Sequence, residues 1–457
     1  MNLAVIPSEQ RALVGGEWRD SGSEGTVEAV NPATGERLGA FPRCGAEEAD
    51  AAVAAGLAAL PEWRATSVVE RAGMVLALAD AIAAEGDRLA EVDTLDNGSP
   101  LHEMRKDVGA TIAQLRYFAG VALHQRGETI PVSHDRLDYT LLQPFGVVAR
   151  IIPFNHPLMF AATKLAAPLI AGNAVILKPS EYTSLSALVI AEHLERIFPA
   201  GVVSVLTGYG SEVGDALVVH PQVPRIAFTG GAATGRMIQR RAAEVAVKTV
   251  TLELGGKNPI VVFPDADLDA AVEGAVGGMN FTWQGQSCGS TSRLLVHRDI
   301  HGEFVRRVAE RIAGLRVGPP LDPTSDTGAI VNDGQLRKVL DYVRIGREEG
   351  AELLTGGERV TEGDLARGLF VRPALFDEVD PGGRLAQEEI FGPVMAAMPY
   401  EDYDDAIRIA NGVEYGLTAS VFTRDLTVAH AFARDVEAGL VWVNDTSKHF
   451  LGAPFGG

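Results

Sequence analysis

The sequence predicts an α/β protein built from a doubly wound, largely parallel sheet and a second α/β domain, with a small β-arm between parts of the first. Two observations carry this. From Gly146 onward, short β-branched runs alternate with alanine-rich helical runs, and the runs are apolar almost throughout rather than alternating, as expected of strands covered on both faces. In addition, 457 residues at 46% hydrophobic and 22% charged can bury two or more cores.

In chain order, the first 120 or so residues look mostly helical: EEADAAVAAGLAAL and RAGMVLALADAIAAEGDRLAEV carry apolar positions three and four apart. RLDYTLLQPFGVV reads as a hairpin arm. The alternation then runs through GVVARIIP, PLMFAATKLAAPLIAG, NAVILKP, SLSALVIAEHLERI, GVVSVLTG, RIAFTG, ATGRMIQRRAAEV and KTVTLEL. A second series begins near Lys257 with NPIVVFP and continues through SRLLVHR and SVFTRD to LVWVN. The expected boundaries are 1–125 with 146–256 for the first domain, 126–145 for the arm and 257–457 for the second domain.

Sixty acidic against forty basic residues give a formal charge of −20, and no basic run is dense enough to follow a phosphate backbone, so nucleic acid is not an expected partner. The start lacks a basic segment followed by a long apolar core, and no stretch reaches the ~18 apolar residues of a membrane span. A cytoplasmic location follows, with Cys44 and Cys288 as free thiols. The cysteines lack CxxC or CxxH neighbours and the ten histidines form no HxxxH pair, so no metal ligand set is expected.

Four stretches carry possible chemistry. Gly208 to Gly214 approaches GxGxxG but is one residue too long. Gly230, Gly231 and Gly235 follow the run RIAFT and open a helix, where free N–H groups favour a phosphate; a plain strand-to-helix turn uses glycine equally well. Glu253 ends an apolar strand before two glycines. That is the setting of a rim carboxylate bridged to a lysine, or of a base for water with raised pKa. Cys288 lies among Gln284, Gln286, Ser287 and Ser290 between Gly285 and Gly289. A buried thiol usually keeps aliphatic company, so this environment suggests an accessible polar pocket for a nucleophile.

Asn155 in PFNHP, Lys178-Pro179-Ser180-Glu181, FTGGAATG, LELGGK, GQSCGS, EEIFGP and the closing PFGG, in this order, resemble the aldehyde dehydrogenase superfamily from about residue 12 to the last residue. The resemblance implies a Rossmann-like dinucleotide-binding domain, a catalytic domain and an arm that makes a homodimer or homotetramer. It implies an NAD-dependent oxidation of an aldehyde to an acid, with Cys288 as nucleophile, Asn155 and the Cys288 N–H as oxyanion donors, and Glu253 as the base that hydrolyses a thioester. It further implies that Lys178 and Glu181 hold the adenosine ribose, that Gly210, Gly230, Gly231 and Gly235 sit near the cofactor, and that Glu389 holds the nicotinamide ribose beside Phe391. A 2′-phosphate ~4 Å from Glu181 would meet repulsion of about 4 kcal/mol per unit charge at an effective dielectric of 20, so NAD is expected over NADP.

By the same alignment His156, Phe160, Thr163, Thr282, Ser287, His449 and Phe450 line the substrate tunnel. This aromatic and hydroxyl set suits an aromatic or hydroxylated aldehyde. Phe154 and His156 depart from the residues usual in that motif, and the sequence stops at Gly457 where the family runs on to a strand that pairs with the arm of a neighbouring subunit. Two rivals stand beside this reading. A CoA-acylating relative would have no need of Glu253, and a non-catalytic relative would have no need of Cys288 or Asn155.

Overall fold

The computed structural model describes Ile6 and residues 10–457. The chain divides into two compact units, the first comprising residues 1–30, 37–96 and 104–252, the second residues 31–36, 97–103 and 253–457. The division thus falls after Leu252 instead of 256, and two short upstream pieces join the second unit. Backbone hydrogen bonds explain the two pieces: Leu369 N–H donates to Pro32 O at 2.9 Å, Ala329 N–H to Gly98 O at 2.9 Å and Leu101 N–H to Pro320 O at 2.9 Å.

The strands through the first unit are β1 (Ala12–Val14), β2 (Glu17–Arg19), β3 (Thr26–Val30), β4 (Arg37–Pro42), β5 (Thr129–Ser133), β6 (Arg136–Tyr139), β7 (Val147–Ile151), β8 (Ala174–Lys178), β9 (Val203–Val205), β10 (Arg225–Thr229) and β11 (Thr249–Glu253). The helices are α1 (Ala46–Ala65), α2 (Val68–Ala84), α3 (Gly86–Asn97), α4 (Leu101–Val121), α5 (Pro157–Ile170), α6 (Leu185–Ile197), α7 (Asp215–Val219) and α8 (Ala232–Val245). The sheet order is β11-β10-β7-β8-β9-β1-β2, with β10, β7, β8 and β9 parallel. β7 and β8 are buried almost throughout, as their continuous apolar runs require. The chain moves from β7 outward through β8 and β9, then returns to place β10 on the other side of β7. The switch point is therefore between β7 and β10, where an open α/β sheet leaves a crevice at its carboxyl ends.

The first 120 residues are mostly helical, through α1 to α4, but they also hold strands that the pattern did not show: β1 and β2 extend the sheet by antiparallel pairing of Leu13 with Val205, and β3 pairs with β4 as a separate ribbon. Strands of three residues are too short to show a period, and only TVEAV in β3 alternates exposed and buried. The hairpin is β5–β6, lying inside 126–145 and turned where Ser133 Oγ donates to Asp135 Oδ1 at 2.7 Å, while Val147 and Val148, which the run RLDYTLLQPFGVV carried past that boundary, open the buried strand β7. Gly146, at φ +119°, makes the break.

In the second unit, β12 (Pro259–Val262), β13 (Arg293–His297), β14 (Glu352–Thr355), β15 (Ala374–Asp377), β16 (Val394–Tyr400), β17 (Thr418–Phe422) and β18 (Leu440–Val443) form a sheet ordered β14-β15-β16-β13-β12-β17-β18, all parallel except β14. It carries α9 (Leu268–Gly278), α10 (His301–Ala313), α11 (Asp333–Glu348), α12 (Arg384–Gln387), α13 (Tyr403–Asn411) and α14 (Leu426–Asp435). Two apolar clusters cover the sheet, one around Val261, Phe376 and Tyr400, the other around Ile260, Phe304 and Phe422. Among the described residues no helix is long and apolar enough to cross a membrane.

Candidate active site

Cys288 lies in an irregular loop between α9 and β13. The loop is shaped by two non-glycine residues in the left-handed region, Asn280 and Gln284, each at φ 55°. Its position is enforced from below. Asn258, at the mouth of β12, donates through Nδ2 to Cys288 O at 2.8 Å and to Ser290 O at 2.9 Å, and accepts Thr418 N–H on Oδ1 at 3.0 Å. A Cβ on Gly256 would fall 2.9 Å from Cys288 O, and one on Gly285 would fall 2.3 Å from Gly392 O. These glycines are therefore close-approach positions that let three backbone segments meet.

The polar neighbours of Cys288 do not form the open pocket expected of them. Gln284, Gln286 and Ser290 are buried. Ser99 Oγ donates to Gln284 Oε1 at 3.2 Å, Gln286 Nε2 donates to the same atom at 3.2 Å, and Gln286 Oε1 accepts Val331 N–H at 3.2 Å. They are a satisfied internal ladder, which is what buried amides must become. The thiolate is not stabilised either. Burial first, then the negative charges of Glu253 and Glu389, push the Cys288 thiol up to about 12, against the pull of the N–H groups of Cys288 and Gly289. Cys288 itself stays partly exposed, as do Ser287 and Thr282, and both cysteines are free thiols.

Glu253 ends β11 and precedes Gly255-Gly256. Those glycines make room for a second carboxylate: a Cβ on Gly255 would sit 2.0 Å from Glu389 Oε2, and Gly256 N–H donates to Glu389 Oε1 at 3.1 Å. Burial raises the Glu389 pKa. Phe391, two residues on, takes φ 57°, an unusual conformation for an aromatic residue, and Gln335 Nε2 holds its carbonyl at 2.7 Å. Behind this strip Lys257 is fully buried, its Nζ makes no hydrogen bond, and burial followed by the charge of Arg293 takes its pKa down to about 7. Sequence reading assigned no role to Asn258, Lys257 or Arg293; only the motif LELGGK, which ends at Lys257, drew attention to their neighbourhood.

In the first unit a cleft of about 470 Å³ opens at the switch point. Ile151, Ile152, Val218, Phe228, Met237 and Ile238 give it apolar walls, and Lys178, Glu181, Tyr209, Gly210 and Thr234 stand among its lining. Lys178, buried at the end of β8, donates through Nζ to Glu181 Oε2 at 3.1 Å; burial lowers its pKa and Glu181 opposes the shift. Arg241 also lines the cleft, but Asp215 holds it with two bonds of 3.0 and 2.7 Å. Gly230, Gly231 and Gly235 lie at the start of α8, with Gly231 as its N-cap; the lining of this cleft comes from Thr234, Met237, Ile238 and Arg241 of that helix instead.

Asn155, buried, occupies the turn between β7 and α5. Next to it His156 caps α5, and its Nδ1 lies 2.7 Å from Asp107 Oδ2 on α4. A second acid, Asp93, accepts Leu158 N–H at 3.0 Å in the first turn of α5, and burial pushes its pKa up to about 7. His156 meets the Phe160 ring edge-on at 5.6 Å. Thr163 is buried with its hydroxyl donating to Met159 O at 2.6 Å. In the second unit His449 stacks edge-on with Trp442 and Phe455, while His449 and Phe450 are exposed.

His301, Asp377 and Glu378, far apart in sequence and in no recognisable spacing, bring ligand atoms within 4.8 Å of one another.

The chain matches a known family of dehydrogenases that act on aldehydes. The aldehyde dehydrogenase family model matches residues 18–457, and the chain belongs to that family. It is 42% identical over 460 residues to the aldehyde dehydrogenase tropH of Talaromyces stipitatus, covering 99% of this chain and 89% of that protein. Among solved structures it is similar to betaine aldehyde dehydrogenase of Staphylococcus aureus in complex with NAD+, at 35% identity and a TM-score of 0.95 over 98% of this chain and 89% of that one. It is also similar to the NAD+ complex of an aldehyde dehydrogenase from Bacillus cereus, at 38% identity and a TM-score of 0.95 over 99% and 92% of the two chains.

Proposed function

We propose that this aldehyde dehydrogenase uses NAD and oxidises its aldehyde to the free acid through a covalent adduct on Cys288. The observation that carries the reading is the setting of that thiol, held by Asn258 on a fixed loop and flanked by Glu253 and Glu389. Burial and the charges of Glu253 and Glu389 hold the thiol above its ordinary value, so the resting group is protonated at neutral pH and attack needs a base. Glu253 takes the proton as Sγ adds to the aldehyde carbon and the carbonyl electrons move onto oxygen. Asn155 Nδ2 and the Cys288 N–H receive that oxyanion, each donor contributing ~3–4 kcal/mol. Bound NAD supplies a two-electron acceptor for the hydride lost from the adduct. Glu253 first passes the thiol's proton to solvent and then deprotonates the water that attacks the resulting thioester; the C–S bond breaks, the free acid leaves, and the departing thiolate takes back the proton that Glu253 drew from that water. This need for a hydrolytic base weighs against release to coenzyme A.

The cleft at the switch point fits a dinucleotide: apolar walls for a base, and Lys178 with Glu181 for a ribose. With Glu181 on its rim and Arg241 occupied by Asp215, it favours NAD over NADP. Gly230, Gly231 and Gly235 shape the start of α8 near a phosphate, and Glu389 with Phe391 serves the nicotinamide ribose. His156, Phe160, Thr163, Thr282, Ser287, His449 and Phe450 select an aromatic or hydroxylated aldehyde. The protein works in the cytoplasm as a homodimer or homotetramer. The β5–β6 hairpin supports the assembly, since Ile130, Val132, Leu137 and Tyr139 are all exposed on it.

The test is Cys288→Ser assayed by NADH formation on aromatic and aliphatic aldehydes, with NAD binding measured in parallel. Turnover should vanish while NAD binding persists, and the wild-type product should be the free acid whether or not coenzyme A is present. Undiminished turnover in the variant refutes the assignment.

A further inference from the structure

We propose that His301, Asp377 and Glu378 form a binding site for a divalent transition ion of the zinc type, in the second unit. His301 opens α10, Asp377 ends β15, and Glu378 follows it at φ 50°. The three offer one imidazole nitrogen and two carboxylates, a donor set that suits zinc, nickel or cobalt, and the two carboxylates balance a dication.

The His301 side chain is more than nine-tenths buried, and its Nε2 faces Asp377 Oδ1 at 3.2 Å, an ion-pair distance, with no well-directed hydrogen bond made. Two ligands each ~2.1 Å from one ion are about 3.0 Å apart at a right angle and about 3.4 Å apart at the tetrahedral angle. The observed 3.2 Å falls between these limits, so His301 and Asp377 already stand at the separation of two ligands sharing a metal. Asp377 is partly fixed, since its Oδ1 also accepts Glu378 N–H at 2.8 Å. Glu378 is exposed and swings in as the third ligand without disturbing the core. The bound ion clips the start of α10 to the end of β15, two segments that no covalent link joins. Its role is structural and independent of the oxidation chemistry.

The experiment measures Zn²⁺ and Co²⁺ binding to the full chain, after chelation, by equilibrium dialysis and thermal unfolding, with Cys288→Ser as a background that removes the reactive thiol as a competing ligand. The expected result is one ion per chain retained in Cys288→Ser, a higher Tm with the ion than without it, and binding weakened by roughly tenfold or more in His301→Gln and Glu378→Gln. The cobalt spectrum should lack the thiolate charge-transfer band. If His301→Gln fails to fold, Glu378→Gln decides, because its side chain is exposed. No bound ion, binding lost with Cys288, or binding unchanged in Glu378→Gln overturns the proposal.

Discussion

Asn258→Ala tests how the nucleophile's loop is held. The amide is buried and makes three hydrogen bonds, to the carbonyls of Cys288 and Ser290 and from the N–H of Thr418. Each is worth ~1 kcal/mol net, and leaving the buried partners unsatisfied adds ~1–3 kcal/mol, for a loss of about 4–6 kcal/mol. For units of this size ~2–4 °C is lost per kcal/mol, so the transition of the second unit should fall by roughly 8–24 °C in calorimetry. A longer amide cannot rescue it, because a Cβ on Gly256 would stand only 2.5 Å from Asn258 Oδ1, so the group is already tightly confined. The freed loop lets Sγ wander, and a misplacement of ~1 Å costs roughly 10²-fold in turnover. The assay pairs calorimetry with kcat measured below the new transition. A variant within ~0.5 kcal/mol of wild type, with unchanged kcat, would show that Asn258 does not position the loop.

Three further outcomes follow from the same geometry. In the cofactor-free enzyme, alkylation of Cys288 by iodoacetamide should keep rising from pH 7 to beyond pH 10, because the thiol titrates near 12; Glu253→Gln removes a charge that raises this pKa and should speed alkylation while slowing turnover, and a plateau near pH 8.5 would contradict the account. Lys257→Met should stabilise the protein. A buried lysine whose folded pKa is depressed to about 7 costs stability at every pH below its unfolded value near 10.5, fully so below pH 7, and urea unfolding at pH 7 should show a gain of up to ~4 kcal/mol that fades as pH approaches 10.5. Glu181→Gln should narrow the NAD-to-NADP ratio of kcat/KM by about tenfold or more, since it removes the charge facing a 2′-phosphate; an unchanged ratio places discrimination elsewhere.

Long-period and motif information was readable in the sequence; information carried by pairing was not. β7, β8, β12 and β13 announce themselves as apolar runs because both faces of each are covered. The three-residue strands β1 and β2 have no period to read and owe their existence to β9, nearly two hundred residues away. Cys288, Glu253 and Glu389 were found through motifs, but the meaning of their surroundings was inverted for Gln284 and Gln286. Their polarity suggested solvent, whereas it is absorbed by Ser99 and Val331 in distant segments. The His156 to Asp107 contact and the His301 cluster escaped for the same reason: each joins residues at separations no local pattern encodes.

The glycines around the thiol explain how two carboxylates can share its neighbourhood. Gly255 admits the Glu389 carboxylate to a space where any side chain would collide with it, and Gly256 both donates to that carboxylate and lets Cys288 O approach. Gly285 allows the cysteine loop to cross the Gly392 backbone. Backbone thus replaces side-chain bulk at all three crossings, which concentrates negative charge around sulfur and suppresses its ionisation. A resting thiol is less prone to oxidation than a thiolate. On the proposed mechanism the ionisation is supplied only when Glu253 is in place to receive the proton, so the field that slows the free thiol also ties its reactivity to the assembled site.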